Sequence, residues 1–160
     1  MTVSAKVGVR RLGHLVLRVR DVERSERFYT EVLGLKVTGK RPGRMVFFSS
    51  PEAESSHELA CMAVGPEAPG PEQDRVGLYH MAWQVDSVEE LEGFHERLKE
   101  HNATIVGYGD HGMSVGIYFL DPDGNEVECY YELPREQWPG EGPASSQKFP
   151  QPVSFLGSGG

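Results

Sequence analysis

A chain of 160 residues is long enough for one ordinary domain with a proper core and short for two independent ones. Its 24 acidic against 16 basic residues give a net charge of −8, a field that repels phosphates and reads against nucleic acid or an anionic membrane surface as partner. With no apolar stretch near the roughly 18 residues of a membrane span, no apolar leader core after the first Lys and Arg, and no CxxC pair between Cys61 and Cys129, the expectation is a cytoplasmic globular protein.

In chain order, His14 opens a run in which Leu15, Leu17 and Val19 alternate with Val16 and Arg18, which predicts a strand. Asp21 is placed to cap a helix carrying Val22, Phe28, Tyr29, Val32 and Leu33 along one side, and Gly34 suits its C′ position. Strand-like runs follow at 35–38, 45–49 and 57–64. A Pro- and Gly-rich linker covers 65–76. A second alternating run opens at His80, and Ser87 with Glu90 makes a capping box ahead of Val88, Leu91, Phe94 and Leu98 at helical spacing. Further strands are predicted at 104–107, 114–120 and 125–131. The last 27 residues hold five Pro, five Gly and four Ser, too little apolar surface to order themselves alone.

The two halves are copies. An offset of 66 lays His14-Leu-Val-Leu-Arg-Val over His80-Met-Ala-Trp-Gln-Val, and aligns Val22 with Val88, Glu23 with Glu89 and Phe28 with Phe94. The expectation is an α+β fold of two tandem βαβββ modules that form a half-open barrel around a central metal cleft. Its bounds are an N-terminal extension at 1–10, modules at 11–64 and 77–133 around the linker, and a tail at 134–160.

Of six histidines, His95 and His101 read as solvated or helix-end residues. His14 and His80 occupy equivalent places in the repeat, so a pseudo-twofold would aim both into one cavity. A third donor comes from the hairpin. Asp121-Pro122-Asp123-Gly124 suits a type I turn with a left-handed Gly, pairing Asp121 with Asn125 and hence Tyr118 with Glu128 on one face. Two imidazoles and a carboxylate are the donor set of non-haem Fe(II) oxygenases, with coordination positions left open. Cys129 must point to the opposite face.

These residues carry a resemblance. Gly13-His14-Leu-Val-Leu-Arg-Val-Arg-Asp, Tyr79-His80-Met-Ala-Trp-Gln-Val and Asp121-Pro-Asp-Gly-Asn-Glu-Val-Glu128 resemble the vicinal oxygen chelate superfamily of glyoxalase I, bleomycin-resistance proteins and extradiol dioxygenases. Within it the chain is most similar to single-domain type I extradiol catechol dioxygenases. That resemblance implies metal ligands His14, His80 and Glu128 and an Fe(II) cofactor, with Mn(II) as the alternative. It also implies O2 as co-substrate and a small aromatic diol as substrate; a homo-oligomer is the expectation from the general prevalence of dimers. Ser56-His57-Glu58-Leu-Ala matches the motif of the family's acid–base histidine, Tyr118 its active-site tyrosine, and His111-Gly-Met-Ser a further catalytic histidine. Strand alternation allows only one of His57 and Glu58 to face the cleft and does not choose between them; the motif favours His57. An inward Glu58 would instead suit a glyoxalase I-like isomerase or lyase, and a metal-free bleomycin-resistance-like binding protein would leave both histidines unexplained.

Overall fold

The computed structural model describes residues 8–142 and 147–152. The rest of the N-terminal extension and of the tail lies outside the described residues. The chain divides into two compact units, Met1–Pro66 and Glu67–Gly160, and each is described by itself.

In the first unit, β1 (Leu15–Val19) leads through Asp21 into α1 (Val22–Arg27), followed by β2 (Lys36–Arg41), β3 (Met45–Ser49) and β4 (Leu59–Ala63). The Asp21 carboxylate accepts from the backbone N–H groups of Glu23 and Arg24 at 2.9 and 3.0 Å, which ends the strand and starts the helix. The predicted single helix is in fact two pieces. Its second half, Phe28–Val32, is π-helical, with Leu33 N–H donating to the Phe28 carbonyl at 3.3 Å. Gly34, at φ 79°, then makes the left-handed exit. The sheet order is β1-β4-β3-β2, with β1 parallel to β4 and the other pairs antiparallel. Val22, Tyr29 and Val32 are buried with Val46, Phe48, Leu59 and Cys61, and the Tyr29 and Phe48 rings lie 5.5 Å apart.

The second unit repeats the plan with β5 (His80–Val85), α2 (Val88–Glu100), β6 (Ile105–Asp110), β7 (Ser114–Leu120) and β8 (Glu126–Glu132). Ser87 caps α2 through Glu90 N–H at 3.1 Å, and the Glu90 carboxylate reaches back to the Asp86 N–H at 2.9 Å. The sheet order is β5-β8-β7-β6-β9, the last strand being Lys148–Phe149 from the tail. Together the units make an α+β fold of two mixed sheets with few helices. Among the described residues, no helix is long and apolar enough to cross a membrane.

Two expectations need correction here. His95 is buried rather than solvated, with Nε2 2.9 Å from the Tyr108 hydroxyl. It lies on the same stripe as Leu91, Phe94 and Leu98, at the three-, four- and seven-residue intervals that face a core; burial, then the charge of Lys99, hold its pKa below the ordinary histidine value. The run at 57–64 is a strand only from Leu59, so His57 and Glu58 precede the regular alternation.

The β7–β8 turn is built on one carboxylate. Asp121 is buried and accepts from Asp123 N–H at 2.9 Å, Asn125 N–H at 2.8 Å and Asn125 Nδ2 at 2.9 Å, while Gly124 adopts φ 88°. Replacing Asp121 by Ala leaves those donors without their acceptor. Asp121→Ala is expected to lower the unfolding free energy by about 2 kcal/mol, read from urea titration.

Candidate metal centre

In the second unit three neighbouring strands place their polar side chains on one face. Parallel pairing of β5 with β8 sets His80 beside Glu126 and Ala82 beside Glu128, and antiparallel pairing of β7 with β8 sets Tyr118 beside Glu128. The imidazole therefore lies between two carboxylates. His80 Nε2 is 3.3 Å from Glu128 Oε2, and His80 Nδ1 is 3.5 Å from Glu126 Oε1. Two donors sharing one metal at about 2.1 Å each stand roughly 3 Å apart at a right angle, a separation close to that of His80 Nε2 and Glu128 Oε2.

Glycines make the room. Gly116 faces Gly109 across β6–β7, and a Cβ on Gly116 would lie 2.5 Å from Glu128 Oε1. A Cβ on Gly109 would lie 2.8 Å from His111 Nε2 and 3.0 Å from Tyr118 Cε2. Without side chains at these two positions, the Glu128 carboxylate, the Tyr118 ring and the His111 ring lie down across the sheet.

The tyrosine is held on several sides. His111 Nε2 is 2.9 Å from its hydroxyl, and the His80 ring meets its ring edge-on at 5.5 Å between centroids. Burial, reinforced by the negative charge of Glu128, pushes the Tyr118 phenol well above its ordinary pKa, so it stays a proton donor. Lys148, on β9, pairs with the Glu126 carboxylate and places its ammonium 4.3 Å from the Tyr118 ring centroid and 4.5 Å from that of Tyr79. Burial alone would lower the Lys148 pKa, but the hydrogen bonds to Glu126 and Tyr79 together with their charges outweigh it, and the net shift is upward. Cys129 points away from this face, and burial pushes its thiol up to about 12. Beside the pair, an open cleft of about 720 Å3 is lined by Arg75, Tyr79, Leu120, Asn125, Glu126 and Lys148 among others.

In the first unit, His14 and His57 stand just before the parallel strands β1 and β4, with ring centroids 4.4 Å apart. The His57 ring also meets Phe47 edge-on at 5.3 Å, and its Nδ1 is 3.0 Å from Ser56 Oγ. Glu58 turns elsewhere. Its carboxylate accepts from Ser50 N–H at 2.7 Å and Ser50 Oγ at 2.6 Å. Burial would raise its pKa, yet these hydrogen bonds carry it below the ordinary glutamate value.

The sequence-derived site residues thus fall into two groups: His14 with His57 in one unit, and His80, Glu128, Tyr118 and His111 in the other. Within either unit, no three His, Cys, Asp or Glu side chains among the described residues gather closely enough to hold an ion. Strand parity already places Glu126 on the face of Glu128, but sequence reasoning missed the site-facing roles of Lys148, Gly109 and Gly116. The glycines had left a trace, since a strand glycine often marks a close approach; Lys148, in a Pro- and Gly-rich tail, had left none.

The family model of the Glyoxalase/Bleomycin resistance protein/Dioxygenase superfamily matches residues 11–129. The chain is 37% identical over 128 residues to a catechol-2,3-dioxygenase of Bacillus subtilis (strain 168), a match that covers 79% of this chain and 43% of that protein. It is 29% identical over 137 residues to a lactoylglutathione lyase of Escherichia coli O157:H7, covering 76% of this chain and 93% of the relative. A glyoxalase/dioxygenase structure from Nostoc punctiforme superposes with a TM-score of 0.66 at 24% identity, over 84% of this chain and 99% of the other, a likeness of fold.

The Gly116 cradle has a direct test. The atom that a new Cβ would strike is the end of a flexible side chain, so Gly116→Ala is expected to cost only about 1 kcal/mol in urea unfolding. By moving the Glu128 carboxylate it is expected to weaken Mn(II) binding about tenfold or more in calorimetric titration.

Proposed function

Because the chain belongs to the Glyoxalase/Bleomycin resistance protein/Dioxygenase superfamily, we propose that it is an extradiol dioxygenase that opens a catechol-type ring beside its two hydroxyls and inserts both atoms of O2. Membership alone leaves lyases and binding proteins in play, since one fold hosts several chemistries. The observation that carries the metal-dependent part of the reading is the 3.3 Å approach of His80 Nε2 to Glu128 Oε2. The similarity to the Bacillus subtilis catechol-2,3-dioxygenase supports it, although the chain spans only 43% of that protein's length.

In this proposal the metal ligands are those the family resemblance implies, His14, His80 and Glu128. Imidazole and carboxylate donors suit Fe(II), with Mn(II) as the other candidate. A bound ferrous ion would supply Lewis acidity to the diol oxygens and the one-electron chemistry that dioxygen requires.

The remaining roles belong to the protein's own side chains. His57 is the acid–base group: with its Nδ1–H donating to Ser56 Oγ across 3.0 Å, Nε2 is free to take a diol proton and return it. Its place beside His14, with Glu58 turned to Ser50, favours His57 over Glu58 for that role. The Tyr118 hydroxyl, kept protonated by burial, donates a hydrogen bond toward reacting oxygen. His111 Nε2, 2.9 Å from that hydroxyl, fixes the direction in which it donates.

A second reading, a glyoxalase-like lyase or isomerase, is favoured by the relation to the Escherichia coli lactoylglutathione lyase, which this chain matches over 93% of the relative's length. Loading the purified protein anaerobically with Fe(II), adding a panel of catechols and admitting air separates the two. A yellow ring-fission product with matching oxygen uptake is expected. Turnover of a hemithioacetal without oxygen, and none of a catechol, would establish the lyase instead. His80→Ala, Glu128→Ala and His14→Ala are each expected to lose bound iron and activity together. His57→Phe is expected to retain iron, measured by elemental analysis, while kcat falls about 100-fold or more.

A further inference from the structure

We propose that Glu126 and Lys148 are positioning residues for His80, which makes the C-terminal strand β9 a working part of the metal-binding half-site on the second unit. The inference rests on the metal-binding reading above and extends it to residues outside the donor set.

An imidazole offers a lone pair from one nitrogen when the other carries the proton, and the group facing that N–H sets both tautomer and ring angle. For His80 the donor nitrogen is Nε2, which faces Glu128 at 3.3 Å. Its Nδ1 is buried without a hydrogen-bond partner, and the Glu126 carboxylate faces it at 3.5 Å. The parallel register of β5 and β8, with His80 directly beside Glu126, puts the carboxylate there. A carboxylate in that position, anchored against swinging away, holds the ring with Nε2 turned to Glu128.

Lys148 is the anchor. Its ammonium bonds the Glu126 carboxylate and packs between the Tyr118 and Tyr79 rings, at 4.3 and 4.5 Å from their centroids. The strand that delivers it is only two residues long, with Lys148 paired to Gly109 and Phe149 to Tyr108. Gly107 leaves its path open, since a Cβ there would already touch the Lys148 Cβ at 3.4 Å. Glu128, His80, Glu126 and Lys148 therefore form one line, in which two carboxylates flank the imidazole and the outer one is tied to a cation.

Mn(II) titration of the metal-stripped 160-residue chain by calorimetry tests this without reference to turnover. Glu126→Gln and Lys148→Met are each expected to raise the Mn(II) Kd about 10- to 100-fold. Lys148→Arg is expected to restore most of the affinity, and the Glu126→Gln/Lys148→Met double variant to bind no more weakly than Glu126→Gln alone. Thermal melting of the metal-free proteins by circular dichroism checks that each is folded. Wild-type affinity in Glu126→Gln would overturn the proposal, and additive losses in the double variant would overturn the action of Lys148 through Glu126. Failure of the metal-binding reading looks different: the unaltered protein would bind no Mn(II), or His80→Ala would bind it equally well.

Discussion

The pairing of β7 with β8 is the constraint on which the second unit's site depends. Asp121 ties the turn between them through three hydrogen bonds from Asp123 and Asn125, and Gly124 closes it at φ 88°. That local chemistry fixes the register, and the register puts Tyr118 opposite Glu128. A slip of β8 by one residue would send Glu128 to the other face and bring Cys129 toward the site. Glycines opposite one another on β6 and β7 then leave space above the sheet, so polar side chains fold across the strands rather than standing away from them. Position and orientation in this unit are thus set by backbone features.

What was legible in the sequence follows from how local each determinant is. The repeat announced the two βαβββ units, and the Asp-Pro-Asp-Gly turn announced the Tyr118–Glu128 pairing, because a two-residue period and a short turn need no knowledge of the remaining chain. His95 was misread for the opposite reason. Its burial depends on which stripe of α2 faces the sheet and on Tyr108 waiting at 2.9 Å. The choice between His57 and Glu58 stayed open because both precede the first regular residue of β4; the Ser50 donors that hold Glu58 come from the end of another strand. Lys148 lay furthest from inference: its two-residue strand exists only because the β6 edge accepts it.

The repeat also shows how two copies of one plan diverge. Each opens with a histidine at the mouth of its first strand, and each pairs that strand in parallel with the last strand of its module. Across this pairing both units carry a glutamate in the same register, Glu126 beside His80 and Glu58 just ahead of the Leu15–Leu59 pair; Glu126 faces His80 at 3.5 Å, whereas Glu58 is turned to Ser50 and the His57 ring lies 4.4 Å from that of His14. The first copy therefore presents bases and the second presents acids beside a base. Equivalent positions thus carry the same residue types, and the difference lies in which side chain the partner strand turns toward the histidine.

The facing direction of Cys129 bears on durability. It adjoins Glu128 in the chain yet is almost wholly buried on the reverse side of the sheet, its thiol raised to about 12. Sulfur reacts with peroxides and captures soft metals chiefly as the thiolate. A side chain kept protonated and screened by the thickness of one β-layer neither competes for a cation nor serves as a sink for stray oxidants. Alternation along a single strand thereby separates a redox-tolerant carboxylate from a redox-vulnerable neighbour one peptide bond away.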